Sequence, residues 1–544
     1  MPRQIASVRV VGSVSGPHPG RLAPYSRGGG ASFILRHPLT EGEHASVVVR
    51  IAGRGPIHFG FTVARLAPTQ PLLNIPVLQP AKLDHFVSQP ELLAPQITVH
   101  RGAGVPSGYI FLAPLPSPEI HPESNNVLTI HPVGPGGPMI VDNRGRLVWF
   151  HQLQPPFVAA NFRPQRFDGH EVLTWWQGGV TPAAFGLGEG VIADTSYRTL
   201  RIVRTGNGYS ADIHEFVITP DGDALFTAYS PILVHLPGTP SVTLSPLLDS
   251  IVQEVDIRTG LVMWEWHAYG HIPLADSYAT AATSSTFDAY HLNSIQLLAG
   301  DRVLVSARDT SAVYDIDAGT GRILWTLGGK ASSFRLGRGV RFFFQHDAQL
   351  RPDGTVTLFD DEAGPPIEAK SSRAIVVALD QRHKTARLVR QYRRTADTLA
   401  DSEGNMQTLP SGNPFVGFGS APAFSEFSAG GRLLFDASLP VDDGSYREYL
   451  FPWTATPRTR PALAARRTAA GRVSVYASWN GATTVARWQV LGGASAASLT
   501  PLATAAASGF ETRVTVSSSA STFAVRALSA RGRVLASSAA VSPS

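Results

Sequence analysis

Apolar and polar residues alternate in short runs along most of the chain. ASFIL, ASVVVRI, HFGFTVAR, RVLVSAR, GTVTLF, ETRVTV and TFAVRAL each tend toward a period of two and are bounded by Gly, Pro or Asp. That period places alternate side chains on opposite faces of a strand. Stretches with apolar residues at i, i+3, i+4 and i+7 are few. Short strands with a turn signal every ~8–12 residues predict an all-β protein.

Changes in the pattern divide the chain into four. Residues 1–67 read as a small β-sandwich with a Gly-rich loop at Gly28–Gly30. Residues 68–106 are Pro-rich and read as a linker or wrapping segment. Residues 107–455 repeat a strand, a P-D-G-type turn, a second strand and a later D-x-x-T-G-x-x-x-W-like turn. The copies include ITPDGDALF (218–226) with DIRTGLVMW (256–264), LLAGDRVLV (297–305) with DAGTGRILW (317–325), and LRPDGTVTLF (350–359). A unit of roughly 58 residues predicts a six-bladed β-propeller. Residues 456–544 turn rich in Ala, Ser, Thr and Val, with strands that predict a fibronectin-III or immunoglobulin-like module.

Composition narrows the chemistry. Hydrophobic residues make up 43% of the 544 and charged residues only 16%, which excludes a coiled coil and a disordered chain. The absence of Cys excludes disulfides, Cys–zinc sites and thiol nucleophiles. Four of the 46 basic residues are Lys, and the basic residues form no 5–8-residue cluster, so no nucleic-acid partner is expected. No run of 18 apolar residues predicts a transmembrane helix. The start, MPRQIASVRVVGSVSG, is not expected to act as a secretory signal.

Three units begin the same strand with histidine. His214 lies eight residues before Gly222, His346 eight before Gly354 and His291 nine before Gly300. If these are the innermost strands of blades, the three imidazoles converge on one channel mouth, a usual place for a ligand. Asn293 shares the face of His291, and Arg308 ends the next strand at the same level. Asp212, Glu215 and Asp347 flank the histidines and either orient imidazoles or solvate blade ends, the latter being favoured for Glu215. Trp175, Trp176 and Tyr290 either stack on an aromatic ligand or fill blade cores. Asp360, Asp361 and Glu362 read as a solvated turn, GLGEG (186–190) as a loop, and GGK (328–330) lacks the rest of a phosphate-binding loop.

At these residues the chain resembles the bacterial arylsulfate sulfotransferases that work without a phosphoadenosine donor. The resemblance runs through SGYIFLAP (107–114), VLTWWQGG (172–179), ADIHEF (211–216), HLNSI (291–295), SARDTSAVYDID (306–317), QHDAQL (345–350), GTVTLFDD (354–361) and SYREYLFPW (445–453). It implies that His346 takes up the sulfuryl group from an aryl sulfate by a ping-pong route. His214, His291, Asn293 and Arg308 would bind and stabilise that group, and a phenol would accept it. It implies no cofactor and no metal, and an extracellular or periplasmic location, although no signal peptide is visible. Tyr290, Trp175 and Trp176 are the candidates for stacking on the aryl ring. Two other readings of the residues stay open. One is a His-ligated metalloenzyme, which the neighbouring Arg308 disfavours; the other is a non-enzymatic binding or scaffold propeller.

Overall fold

The computed structural model describes the chain except residues 1–3, 74–81, 102–106, 117, 120–128, 131–133, 241–242, 282–285, 365–370, 395–397, 442 and 469–470. The described residues form strands and short 3-10 turns, and no α-helix occurs among them. The protein is all-β, as the alternating pattern predicts.

Among the described residues, six antiparallel meanders of four or five strands fill the middle of the chain. Tyr109–Leu112, Met139–Asp142 and Leu147–Phe150 form the first, and Tyr449–Phe451, more than 300 residues downstream, pairs with Tyr109–Leu112 to complete it. The others open with Val158–Phe167, Ala211–Ile218, Leu292–Leu298, His346–Leu350 and Asn405–Thr408 and then run outward in chain order. Consecutive opening strands pack side by side. GLGEG lies within a strand, Gly186–Ala193, rather than the expected loop. Its glycines make room for the Trp176 indole, because a Cβ on Gly186 or Gly188 would stand 2.5 or 2.7 Å from that ring.

Polar side chains brace the opening strands in register. Asn161 donates to the carbonyls of Ile213 and His214, Asn293 to Gln345 and Asn405 to Glu448. Gln165, Gln296 and Gln407 each make paired amide hydrogen bonds to the next opening strand or to Leu450. These bonds satisfy backbone groups that the sheets leave unpaired in the interior.

The chain ends flank this body. Near the N-terminus the chain forms a four-stranded sheet and the hairpin Gly20–Pro24/Ala31–Leu35, and the hairpin lies against the third meander, where Ser26 and Ser32 bond Asp256 and the Val262 carbonyl. Part of the expected linker is itself strand: Thr98–Arg101 adds a fifth strand to the sixth meander. Residues 462–537 form a three-stranded and a four-stranded sheet around a core with Trp479, Trp488 and Phe523. Asn480 exchanges hydrogen bonds with Phe150, and Gly481 bonds Val148 and Tyr197, so this module rests on the first two meanders.

Candidate active site

The opening strands are bulged at one end. Their pairing slips between Ala160 and Arg163, Ala211 and Phe216, Leu292 and Ser294, and His346 and Gln349. Non-glycine residues with left-handed backbone gather at the same end, including Asn161, His291, Phe344, Asp347, Glu362 and Glu403. A bulge re-aims side chains, and such strain persists where the surroundings over-determine it, often at functional sites. All three sequence-predicted histidines lie at this end and are buried.

His214 and His291 form a pair. Their Nε2 atoms stand 3.0 Å apart, with the rings edge to face. Each Nδ1 is bonded to a carboxylate at 2.5 Å, Asp212 for His214 and Asp288 for His291. With a proton on each Nδ1, two bare Nε2 lone pairs would face one another, and a proton between the rings would bridge them. Burial, then Arg308 and His214, hold His291 well below the ordinary histidine pKa. Burial pushes Asp288 up to about 6 against the pull of Arg308. Tyr229 packs 5.6 Å from both rings and donates its hydroxyl to Leu292.

His346 is held differently. Its Nδ1 faces the Phe344 carbonyl at 3.0 Å and Asp361 at 2.8 Å. A carbonyl only accepts, so Nδ1 carries the proton and Nε2 keeps a lone pair. The Glu403 amide N–H approaches that lone pair at 3.2 Å. Burial, then the nearby cations and imidazoles, keep His346 well below its ordinary pKa, so the ring is neutral at pH 7. Burial raises Glu403 to about 8, and Asp361 is raised by burial and by Asp360.

Arg308 lies among these groups. It bonds Asp309 at 2.8 Å, and its guanidinium lies 4.9 Å over the Phe344 ring. Asn293 is buried near the cluster, but its NH2 is spent on the Gln345 carbonyl and its Oδ1 has no protein partner. Beneath the histidines, Arg447 binds Glu215 and the Asn293 carbonyl at 2.8 Å and lies 3.8 Å from Asp347; Arg163 binds Glu215 from the other side.

The structure corrects several expectations. Trp175, Trp176 and Tyr290 are core residues: their polar atoms bond Gln177, the Ala211 carbonyl and the Ile272 carbonyl, which leaves the rings packed rather than presented. Asp360, Asp361 and Glu362 are not a solvated turn. All three are buried, Asp360 bonded to Arg373, Asp361 to His346 and Glu362 paired with Arg373. Glu215 is likewise buried in an ion network rather than solvated. Asp288, Glu403 and Arg447 escaped the sequence reading, and Asp361 enters it only as part of a solvated turn. Asp288 stands three residues before His291, a spacing that could have exposed it, whereas the others reach the site only through the fold.

An open pocket of about 410 Å³ adjoins the Asp360–Arg373 pair, lined by Arg338, Arg341, Phe343, Glu362 and Arg373. Among the described residues one group has ligand atoms close enough for a metal ion, Asp288, His291 and Asp309. The Arg308 guanidinium is already bonded to Asp309, and a second cation there would be repelled.

Together these features describe a neutral imidazole backed by a carboxylate, beside a second pair of imidazoles and a buried cation. The sequence profile of the arylsulfotransferase (ASST) family matches residues 163–439, half of the chain, and the chain belongs to that family. No curated protein matches it. Solved structures similar to it include a protein of unknown function from Bacteroides caccae (13% identity, 63% of this chain, 98% of that one, TM-score 0.37). The periplasmic gluconolactonase of Pseudomonas aeruginosa is another (13% identity, 75% of this chain, 99% of that one, TM-score 0.32).

Proposed function

We propose that the protein transfers a sulfuryl group from an aryl sulfate to a phenol through a sulfohistidine at His346. The observation that carries this reading is the fixed tautomer of His346, a neutral ring with its lone pair on Nε2, in a chain of the arylsulfotransferase family.

In the first half-reaction Nε2 attacks sulfur. The N–S bond forms, the S–O bond to the aryl group breaks, and the proton between His214 and His291 passes to the departing phenolate. The Nδ1 proton stays toward Asp361 and Phe344, which stabilise the charge that develops on the ring. In the second half the pair takes the proton of an incoming phenol, whose oxygen attacks sulfur and releases His346. Negative charge spreads over the sulfuryl oxygens in a loose transition state, by analogy with phosphoryl transfer. Arg308 and the Glu403 amide are the donors that meet it. Asn293 acts as a positioning residue, bracing the chain just before His346. The arginine-lined pocket draws anionic donors toward this end.

We read the six meanders as the blades of one β-propeller, closed where Tyr449–Phe451 joins Tyr109–Leu112. The flanking modules are read as the N-terminal sandwich and a fibronectin-III-like domain, and an extracytoplasmic location follows the family. Incubation with p-nitrophenyl sulfate and phenol tests the activity: nitrophenol release that depends on phenol supports it. Release that survives His346→Ala would falsify the nucleophile assignment.

A further inference from the structure

Charge is segregated along this chain. Residues 456–544 contain ten arginines, no lysine and a single acid, Glu511, whereas residues 68–455 contain 28 basic against 38 acidic side chains. The net charge of +5 conceals this division. Glu511 is spent within the fold: the Ser88 amide and hydroxyl both donate to it at 2.6 Å. Among the described residues none of the ten arginines pairs with a carboxylate. An unneutralised cationic surface of this density repels itself and favours an anionic partner.

Three of the ten arginines share one face. In the three-stranded sheet of Ala462–Thr468, Arg472–Ser478 and Glu511–Ser517, Val473, Val475 and Ala477 point into the module core. The opposite face carries Arg466 beside Ser474, Ser474 beside Thr515, Tyr476 beside Arg513, and Arg472 beside Ser517. Arg466, Arg472 and Arg513 are exposed. The guanidinium groups of Arg466 and Arg513 lie 5.9 and 5.7 Å from the Tyr476 ring, and Arg513 also donates to Ser474 Oγ at 3.0 Å. Arg466 and Arg513 are thus held two strand spacings and two residues apart, roughly 12 Å between backbones.

We infer that this face binds a linear acidic polysaccharide whose sugars carry carboxylate or sulfate groups. Guanidinium forks match both anions with two parallel hydrogen bonds, a geometry lysine lacks. The exposed hydroxyls of Thr515 and Ser517 beside the arginines can serve sugar hydroxyls. A nucleic acid fits less well. Single-strand binders stack bases on free aromatic rings, and the one aromatic on this face, Tyr476, is already engaged by two arginines. Duplex readers insert a helix or a two-stranded ribbon into a groove, and this face is a three-stranded sheet. The bound polymer would hold the enzyme on an acidic matrix. The inference is independent of the sulfuryl chemistry, since the face belongs to a different sheet from the histidines.

The test uses the full chain against heparin, polygalacturonate, neutral dextran and a short DNA duplex, titrated at low and at physiological salt. The expected result is binding to one or both acidic polysaccharides that weakens with salt, and none to dextran. The triple variant Arg466→Ser, Arg472→Ser, Arg513→Ser should bind about tenfold more weakly or worse, with p-nitrophenyl sulfate turnover unchanged as a check on folding. If the triple variant loses structure, Arg472→Ser alone, at an exposed strand end, should show a smaller loss in the same assay. Equal binding by wild type and variant overturns the inference, as does failure to bind either acidic polysaccharide. Tighter binding of the duplex than of either polysaccharide overturns it in favour of a nucleic-acid surface.

Discussion

His346 and the His214–His291 pair use the same parts for different ends. Each imidazole sits at the bulged end of an opening strand with Nδ1 on an aspartate. At His346 a backbone carbonyl also faces Nδ1 and a backbone N–H faces Nε2, so the proton has one place to be. In the pair each Nε2 faces another Nε2, so a proton shared between them would be free to move. A ring with a fixed proton suits the proposed nucleophile; two facing rings suit the proposed proton shuttle. The neighbours beyond the carboxylate decide which.

Substitutions should separate the two roles. His346→Ala should have the largest effect, lowering turnover by roughly 10³-fold or more with every donor. Asp361→Asn should cost less, about 10²-fold, because the Phe344 carbonyl still fixes the tautomer; a loss as large as that of His346→Ala would show that the carboxylate does more than orient. His214→Gln should depend on the donor. It should slow esters of weakly acidic phenols by about tenfold or more and barely touch p-nitrophenyl sulfate, whose leaving group needs little protonation. Equal losses with both donors would remove the proton-shuttle role. Both roles rest on the same ionic floor, so Arg447→Met, which strands Asp347 and leaves Glu215 with Arg163 alone, should destabilise the fold by about 3–5 kcal/mol in denaturant titration.

The pH profile gives the subtlest contrast. His346 stays neutral well below the usual histidine range, so its own protonation should produce no limb near pH 6.5. Asp288, raised to about 6, gains a proton as pH falls through that value and then ceases to anchor His291. Turnover should therefore fall below about pH 6, and Asp288→Asn should abolish that limb. A limb that persists in the Asp288 variant would place the titrating group elsewhere.

Much of this was legible in the chain before folding. Period-two runs and the recurring turn located the strands, and the shared phase of His214, His291 and His346 brought them to one end. Patterning could not show what faces each Nδ1. Asp361 sits 15 residues beyond His346, just past the end of the next strand, and within an Asp-Asp-Glu run that reads as solvated. Arg447 comes from a segment more than 200 residues beyond Glu215. Trp175, Trp176 and Tyr290 misled for a related reason: composition marks an aromatic residue but not which side of its sheet it fills, and here neighbouring glycines draw Trp176 inward.

The central claim is that His346, and not the pair, carries the sulfuryl group. Incubating the protein with p-nitrophenyl sulfate without acceptor, quenching in alkali and mapping the peptides by mass spectrometry tests it directly. The account predicts one sulfuryl group per chain on His346, discharged when phenol is added. Label on His214, His291 or a tyrosine, or turnover with no labelled protein, would contradict it.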